Sequence, residues 1–397
     1  MNIAYILSSS KALGGASKAF KTMLVGLMQK GVCPVVVLPE DGPMSEWCQE
    51  KQIPYLITTF RFATYPNWKT FKDWLLFFPR LLARPWVNER SVRFLARELK
   101  ACNIELIHTN VGVVDIGYRA AFRLGIPHIY HIREYADLDF NLHYFPSKRR
   151  FRSQLSLPSV YSICITRGIQ RHHGQDESLH SRVIYDGIRS AMSACPSASQ
   201  GDYFLYAGRI EYTKGLDILL QAYALCRERG LQLPPLWVAG RVEEPDYMES
   251  MLAFVQAQHL KDVVHFLGER PDIDALMQKA RVLIVPSRYE GFGLCMPEAM
   301  FTGCPVIAHD TAGTHEQLEN GLRQTGEEIA YRFTTAEQLA DNMQRLMAAS
   351  PDELSAMTAR AFSVVNKLYT AEAHCAGVFQ FYQNILEEQK HTTNENH

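Results

Sequence analysis

The sequence lacks the features that mark several large classes of protein. Its 41 basic and 42 acidic residues balance, so its charge gives no reason to expect nucleic acid as a partner. No apolar run approaches the roughly 18 residues of a membrane-spanning helix. The first residues also lack the basic start and long apolar segment of a signal peptide. We therefore expect a cytoplasmic protein that is soluble or attached peripherally to a membrane.

Two further motifs are missing. The nine cysteines are odd in number and include no C-x-x-C pair, which predicts reduced thiols and no zinc site. The first predicted strand is followed by Gly14 and Gly15 rather than by G-x-G-x-x-G, so a dinucleotide-binding fingerprint is not supported. A tight turn before a helix explains this glycine pair as well as a role in ligand binding would.

What the sequence does contain is a regular alternation of short apolar runs with helical patterns. This alternation predicts α/β architecture, with parallel sheets covered on both faces by helices, and a chain of 397 residues suits two domains. The small, polar stretch from 191 to 201 predicts a linker between domains 1–190 and 202–368. The predicted strands are Ile3–Leu7, Val35–Leu38, Ile53–Ile57, Ile104–His108, one within Ile126–Glu134 that runs into polar residues, Tyr203–Ala207, Leu236–Ala239, Val263–Leu267, Val282–Val285 and Cys304–Ala308.

The stretch from Arg281 to Met300 carries the clearest chemical signal. A strand-length apolar run leads into a loop with two glycines, and a helix follows. Glu290 lies in the loop and Glu298 in the first turn of the helix. Amides at a helix start bind anions, and carboxylates accept hydrogen bonds from hydroxyls. A sugar nucleotide combines phosphate with many hydroxyls and suits this arrangement.

This stretch resembles the E-x7-E signature of family 4 retaining glycosyltransferases, which have the GT-B fold. Here the signature is Glu290-Gly-Phe-Gly-Leu…Glu298-Ala-Met. The resemblance implies that Glu290 contacts the donor sugar and Glu298 the ribose. It also implies that the loop amides at Phe292, Gly293 and Leu294 hold the donor. Taken alone, Glu298 is better explained as a helix-start acid favoured by the helix dipole.

Further motifs of the second half resemble the family in the same order. Gly208-Arg209 and Lys214-Gly215 match its G-R…K-G element, whose two cations grip the donor diphosphate. Arg209 offers a planar fork for phosphate oxygens and Lys214 a mobile point charge; either one alone would be explained as a surface residue. The other residues to which the resemblance assigns donor contacts are Gly240, Gly268, Glu269 to Asp272, and Thr311 to Glu316.

The first half resembles the family less specifically. The resemblance places Gly14 and Gly15 near the donor phosphates and His131 beside the reactive sugar carbon. A buried, hydrogen-bonded histidine is the alternative for His131. Ile132-Arg133-Glu134 differs from the family's usual residues at this point, and Asp186 replaces the usual Asn of a hinge-side V-x-N-G turn. The last helix, 369–390, would cross back onto the first domain.

Two D-x-D sequences, Asp137–Asp139 and Asp272–Asp274, match the metal motif of the other large glycosyltransferase fold. Neither follows an apolar strand, as that motif requires. Asp272 fits the capping position of a helix better, so we expect no metal or other cofactor. The seven residues at the end of the chain, HTTNENH, suit a disordered tail.

Residues 61–100 differ in composition from their surroundings. Lys and Arg, among them Lys72, Arg80 and Arg84, alternate with Trp, Phe and Tyr. Such a mixture is typical of a helix on an anionic membrane, and an insertion packed on the first domain explains it equally well. Pro79 and Pro85 are expected to break the segment into short pieces.

Together these features predict two Rossmann-like, doubly wound domains of the GT-B fold that face each other across a cleft. The resemblance implies transfer of a hexosyl group from a UDP- or GDP-sugar to a glycan or lipid-linked glycan, in bacterial surface polysaccharide synthesis. Arg209, Lys214, Glu290 and His131 are the predicted catalytic residues. A sugar-nucleotide epimerase and a catalytically silent sugar-nucleotide binder remain the alternatives.

Overall fold

The computed structural model of the protein describes residues 1–11, 15–66, 71–194, 196 and 201–395, and only the backbone of 392–395. Gly14, Trp68, Lys69 and part of the predicted linker lie outside the described residues. The chain divides into two compact units. The first comprises Met1–Gly187 and Ala371–His397, and the second Ile188–Thr370. By this division the described linker residues belong to the second unit, where the backbone of Met192 pairs with the Asn366 side chain.

The first unit is built on a parallel sheet. In the described residues this sheet has seven strands in the order β3-β2-β1-β4-β5-β6-β7. Side chains of β1, β4, β5 and β6 are almost all buried on both faces, as parallel strands covered by helices require. The strands are β1 (Asn2–Ile6), β2 (Cys33–Leu38), β3 (Tyr55–Ile57), β4 (Leu106–Thr109), β5 (His128–Ile132), β6 (Val160–Cys164) and β7 (Ser181–Val183).

Helices cover both faces of this sheet. They are α1 (Gly15–Gln29), α2 (Pro43–Glu50), α3 (Phe71–Leu75), α4 (Phe77–Ala101), α5 (Ile116–Leu124), α6 (Lys148–Leu155) and α7 (Arg167–His172). The prediction that proline breaks the 61–100 segment is wrong, because α4 runs for 25 residues with Pro85 inside it. Burial of Val92, Leu95 and Leu99 in the core holds the helix despite the hydrogen bond that a proline removes.

The second unit repeats this design. In its described residues a six-stranded parallel sheet has the order β10-β9-β8-β11-β12-β13. Its strands are β8 (Phe204–Ala207), β9 (Leu236–Ala239), β10 (Val264–Gly268), β11 (Val282–Val285), β12 (Val306–His309) and β13 (Tyr331–Phe333). Because neighbouring strands are parallel, the turns that follow β8 to β12 lie along one edge of the sheet, where ligands of open α/β sheets bind.

The helices of the second unit follow these strands. After a short 3-10 helix (Tyr212–Lys214) they are α8 (Leu216–Glu228), α9 (Pro245–Ala257), α10 (Ile273–Lys279), α11 (Cys295–Phe301), α12 (Ala312–Thr325), α13 (Ala336–Ala348) and α14 (Pro351–Leu368). The apolar face of α8, with Leu216, Leu219, Leu220 and Tyr223, is buried in the core. The predicted strands of both units begin and end within one or two residues of those observed, whereas β6, β7 and β13 lie outside the predicted runs.

The last helix, α15 (Ala371–Glu395), belongs to the first unit. Its apolar residues Val378, Phe381 and Tyr382 join the core that Phe20 and Leu24 of α1 form. The prediction of a disordered tail from His391 is wrong as far as Glu395, because α15 continues through these residues. None of the helices in the described residues is long and apolar enough to cross a membrane.

Candidate functional site

The turns after β8 and β11 bring two of the predicted catalytic residues together. Lys214 ends the 3-10 helix, and its Nζ donates a hydrogen bond of 2.8 Å to Oε1 of Glu290. Oε1 of Glu290 also accepts a bond of 2.8 Å from the Ser287 hydroxyl. Because the two turns are far apart in sequence, only the order of the strands places this cation beside this carboxylate.

Arg209 lies at the same edge of the sheet, directly after β8. Its Nη1 atom is 3.0 Å from Oε2 of Glu211, whose side chain is 9% exposed against 37% for Arg209. Oε1 of Glu211 in turn accepts a bond from the hydroxyl of Thr213. A buried carboxylate held in this way fixes the direction of the guanidinium while leaving its outer part accessible.

Arg288 is a positioning residue that the motif analysis missed. Its guanidinium binds both carboxylate oxygens of Asp217, at 2.6 and 2.8 Å, and lies 4.0 Å from the ring centre of Tyr212. It also donates to the Tyr212 carbonyl. Such a bidentate pair is rigid. It holds the turn that ends in Lys214 against the loop that carries Glu290.

Helix α12 packs against the loop that carries Glu290, Phe292 and Gly293. The Gly313 amide donates to the Glu290 carbonyl at 3.0 Å, and a Cβ at Gly313 would lie 2.6–2.9 Å from the carbonyl oxygens of residues 290–292. Only glycine fits there. Nε2 of Gln317 donates to the Phe292 carbonyl at 2.5 Å. The stretch in which donor contacts are predicted, Thr311 to Glu316, therefore also positions the loop.

Of the remaining predicted residues of the loop and of α11, Phe292 and Gly293 are buried, and Leu294 and Glu298 are partly exposed. The Phe292 side chain is buried and packs edge-on against Tyr369 at 5.1 Å, so contact with a ligand would come from its backbone. Gly293 has a left-handed φ of +86°. Leu294 precedes α11, and Glu298 lies in the first turn of α11 as predicted.

The glycines that end β8, β9 and β10 pack against one another. The Gly208 amide donates to the Ala239 carbonyl, and the Gly240 amide to the Gly268 carbonyl. A Cβ at Gly240 would lie 1.7 Å from the Gly208 oxygen, which is a structural reason for glycine at this position. Glu269 is exposed at the end of β10.

In the first unit, Gly15 begins α1 and His131 lies inside β5. The His131 ring is fully buried, with Nδ1 3.1 Å from Nε2 of His108 and its face stacked on His374. Burial and the charge of Arg133 hold the pKa of His131 well below its usual value, so its ring is neutral. This environment fits the alternative of a buried, hydrogen-bonded histidine.

Arg133 forms a buried ion pair with Asp186, with both side chains at most 5% exposed. Both residues belong to the stretches at which the first half departs from the family pattern. Asp186, His131 and His374 also offer ligand atoms within 4.8 Å of one another. A metal ion there would have to compete with the guanidinium that already binds the carboxylate.

The D-x-D carboxylates are engaged by neighbouring side chains or amides. Asp137 binds Lys148 and His172, and Asp139 accepts the Tyr135 amide. Asp272 precedes α10 as predicted, but its carboxylate binds Arg270 through two bonds of 2.8 Å and makes no capping bond to the helix.

Two of the cations predicted to meet a membrane are paired. Arg80 binds Asp73 at 2.7 Å. Arg84 binds Asp115 at 2.7 Å, and these two side chains are only 12% and 13% exposed. Arg84 therefore holds α4 against the start of α5 and is unavailable to a lipid phosphate.

A comparison with known protein families matches the second unit, in which the motifs occur. The family model described as Glycosyl transferases group 1 matches residues 192–363. The lipopolysaccharide core biosynthesis mannosyltransferase LpsB of Rhizobium meliloti is 30% identical over 167 residues, 40% of this chain and 46% of LpsB. The lipopolysaccharide glucosyltransferase WaaG of Escherichia coli is 26% identical over 244 residues, 60% of this chain and 58% of WaaG. The matches thus span about half of each relative.

Solved structures extend the likeness to the whole chain. Alr3699/HepE of Anabaena in complex with UDP has a TM-score of 0.73 at 19% identity, over 97% of this chain and 100% of that one. The same protein in complex with UDP-glucose has a TM-score of 0.70 at 20% identity, over 98% and 99%. The protein therefore has the GT-B fold, and its residues 192–363 match the glycosyl transferases group 1 family.

Proposed function

We propose that the protein is a retaining glycosyltransferase that moves a hexosyl group from a UDP- or GDP-sugar to a hydroxyl. The observation that carries this proposal is the contact between Lys214 and Glu290, at the sheet edge that also presents Arg209. One cation and one carboxylate in contact can hold a phosphate and a sugar hydroxyl side by side. The complexes of HepE with UDP and UDP-glucose support a donor of this class.

In the proposed reaction the bond between the anomeric carbon and the diphosphate oxygen breaks, and the acceptor oxygen bonds to that carbon on the same face. Negative charge then develops on the diphosphate. Arg209, Lys214 and the loop amides near Gly293 stabilise it. The proton of the acceptor hydroxyl goes to the leaving phosphate, as the family resemblance suggests, so the chain needs no separate base.

The carboxylates orient the donor. Glu290 accepts hydrogen bonds from the sugar hydroxyls, and Glu298 accepts them from the ribose. We assign a donor contact to His131 through Nε2, since Nδ1 faces His108 and Nε2 has no hydrogen-bond partner among the described residues. Gly15, Gly208, Gly240, Gly268 and Glu269 keep their proposed places around the donor.

The acceptor that we propose is a glycan or lipid-linked glycan of a bacterial surface polysaccharide. LpsB and WaaG carry names from lipopolysaccharide synthesis, which supports this class. Lipid-linked substrates lie at a membrane, so we further propose that the first unit contacts the anionic cytoplasmic face of one.

A donor screen tests the proposed function. UDP- and GDP-sugars should raise the melting temperature of the protein by mass action. With acceptor, one donor should give a glycoside whose anomeric configuration by NMR is that of the donor. Glu290→Gln, which keeps the shape but not the charge, should lose turnover. Inverted configuration would contradict a retaining mechanism.

Two other outcomes identify the alternatives. Conversion of the donor to another UDP- or GDP-sugar without any acceptor would identify an epimerase. Stabilisation by a donor with no turnover under any condition would identify a silent binder. The intact set of Arg209, Lys214, Glu290 and Glu298 favours a catalyst over a silent binder.

We expect activity to be independent of added metal. Arg209 and Lys214 can stabilise the diphosphate charge in place of Mg²⁺, and the D-x-D carboxylates bind Lys148, His172 and Arg270 instead. The rate should therefore be the same with excess EDTA and with Mg²⁺ or Mn²⁺. Loss of most activity in EDTA, with recovery on adding Mn²⁺, would contradict this expectation.

A further inference from the structure

Helices α3 and α4 expose an apolar stripe on the surface of the first unit. Its large side chains are exposed by between 60% for Leu75 and 80% for Trp86. They recur every three or four residues and so share one face of the helices. The stripe consists of Phe71, Trp74, Leu75, Phe78, Leu82 and Trp86. Over the range 71–86, all of it described, Lys72 is the one charged residue that is exposed.

Hydrogen bonds on the opposite face of α4 hold the helix in the orientation that exposes the stripe. Asn88 is buried and exchanges hydrogen bonds with the backbone of Arg61. Its amide also donates to Asp115, the partner of Arg84. The hydroxyl of Ser91 donates to the Thr59 carbonyl at 2.6 Å. Rotating α4 to bury the stripe would break all of these bonds, so the exposure is built into the fold.

A second surface of the first unit, on α6 and α7, is cationic. The chain contains no Asp or Glu between Asp139 and Asp176. Exposed arginines of α6 and α7 fill this interval: Arg149, Arg150, Arg152, Arg167 and Arg171. The two helices are joined, because Nη2 of Arg152 donates to the His172 carbonyl at 2.6 Å.

Chain segments that precede the two surfaces are bonded to each other. The Tyr65 amide donates to the His143 carbonyl, and the Phe145 amide to the Ala63 carbonyl, at 2.8 and 2.9 Å. The guanidinium of Arg84, inside α4, lies 5.3 Å from the ring centre of Phe145. Helix α6 begins at Lys148, soon after Phe145. Its arginines therefore follow closely, along the chain, a residue that contacts α4.

We propose that the stripe and the α6–α7 arginines form one docking surface for an anionic lipid bilayer. The stripe enters the boundary between headgroups and acyl chains, as the apolar face of an interfacial helix does, and the arginines contact lipid phosphates. Trp74 and Trp86 are of the residue type enriched at that boundary. A bilayer offers an apolar layer beside an anionic one, which matches both surfaces. This deepens, and rests on, the membrane contact in the proposed function.

Sedimentation with vesicles, without donor or acceptor, tests the stripe. The full-length protein should sediment with vesicles of phosphatidylcholine and phosphatidylglycerol. The variant Phe78→Glu/Trp86→Glu should bind more weakly by about tenfold or more for each residue, because each large apolar side chain is worth that much when buried. The matched control, Phe122→Glu/Leu179→Glu, changes two equally exposed apolar residues outside the stripe and should bind like the wild type.

The arginines are tested in the same assay. Arg149→Gln/Arg150→Gln should weaken binding about 25-fold, at roughly fivefold for each cation near the surface. The control Lys261→Gln/Arg323→Gln removes the same charge from exposed positions of the second unit and should have little effect. High salt should weaken wild-type binding without abolishing it, because the contribution of the stripe is not screened.

Binding unchanged by the stripe variant, or no binding of the wild type to these anionic vesicles, would overturn the proposal. So would a dimer in solution that the stripe variant dissociates, since a second copy would then cover the stripe. Turnover with a soluble acceptor should survive all these substitutions. A variant that loses vesicle binding but keeps turnover therefore reports on the docking surface alone. A protein that binds vesicles but has no turnover reports on the proposed function alone.

Discussion

Replacing Arg209 by alanine is expected to lower kcat roughly 10²–10³-fold at saturating donor. A preorganised cation that meets charge developing in the transition state stabilises it by about 2.7–4 kcal/mol. Glu211 holds Arg209 in place through the 3.0 Å contact at Nη1, so the guanidinium needs little reorganisation during the reaction. Initial rates at several donor concentrations separate kcat from KM.

The chain offers a matched control at the neighbouring strand. Gly240-Arg241-Val-Glu243 after β9 repeats the Gly208-Arg209-Ile-Glu211 turn after β8, and Arg241 binds Glu243 at 2.7 Å as Arg209 binds Glu211. Arg241→Ala removes the same charge and should leave kcat within a few-fold of the wild type. Equal losses in both variants would contradict a specific role for Arg209.

Glu298→Ala distinguishes donor binding from chemistry. A contact to the ribose is made equally in the ground state and in the transition state, so its loss should raise the donor KM with little change in kcat. Near-native kcat in Arg209→Ala, or a large fall of kcat in Glu298→Ala, would show that the two roles are wrongly divided.

Replacing Arg133 by methionine is expected to lower the free energy of unfolding of the first unit by about 3–5 kcal/mol. Removing one partner of a buried ion pair leaves the other charge without compensation. Here that charge is the Asp186 carboxylate, 4% exposed. Urea unfolding followed by tryptophan fluorescence and by circular dichroism measures the change.

The double variant Arg133→Met/Asp186→Asn provides the control. Asparagine removes the buried negative charge and is the residue that the family pattern has at this turn. The double variant should therefore be more stable than Arg133→Met alone, with a coupling free energy of about 0.5–3 kcal/mol. Additive losses, or a cost below about 1 kcal/mol for Arg133→Met, would contradict the importance of this pair.

Local patterns in the sequence located most elements and motifs. Apolar runs such as Val282–Val285 and Leu236–Ala239 coincide with strands, because a fully buried strand needs only a few consecutive apolar residues. The glycine turns after these strands were predicted for the same reason. The expectation that proline breaks a helix was wrong at α4, because burial of the later turns outweighs the backbone hydrogen bond lost at Pro85.

Contacts between distant residues required the tertiary structure. The sequence determined that Lys214, Glu290 and Arg209 each follow a strand, since the apolar run before each is local. Only the strand order placed Lys214 on Glu290, and only the packing of β5 paired Arg133 with Asp186. The composition of residues 61–100 likewise marked aromatic and basic residues. Tertiary packing decided that the Arg84 side chain is only 12% exposed while Phe78 and Trp86 face solvent, because which face of a helix is covered depends on its neighbours.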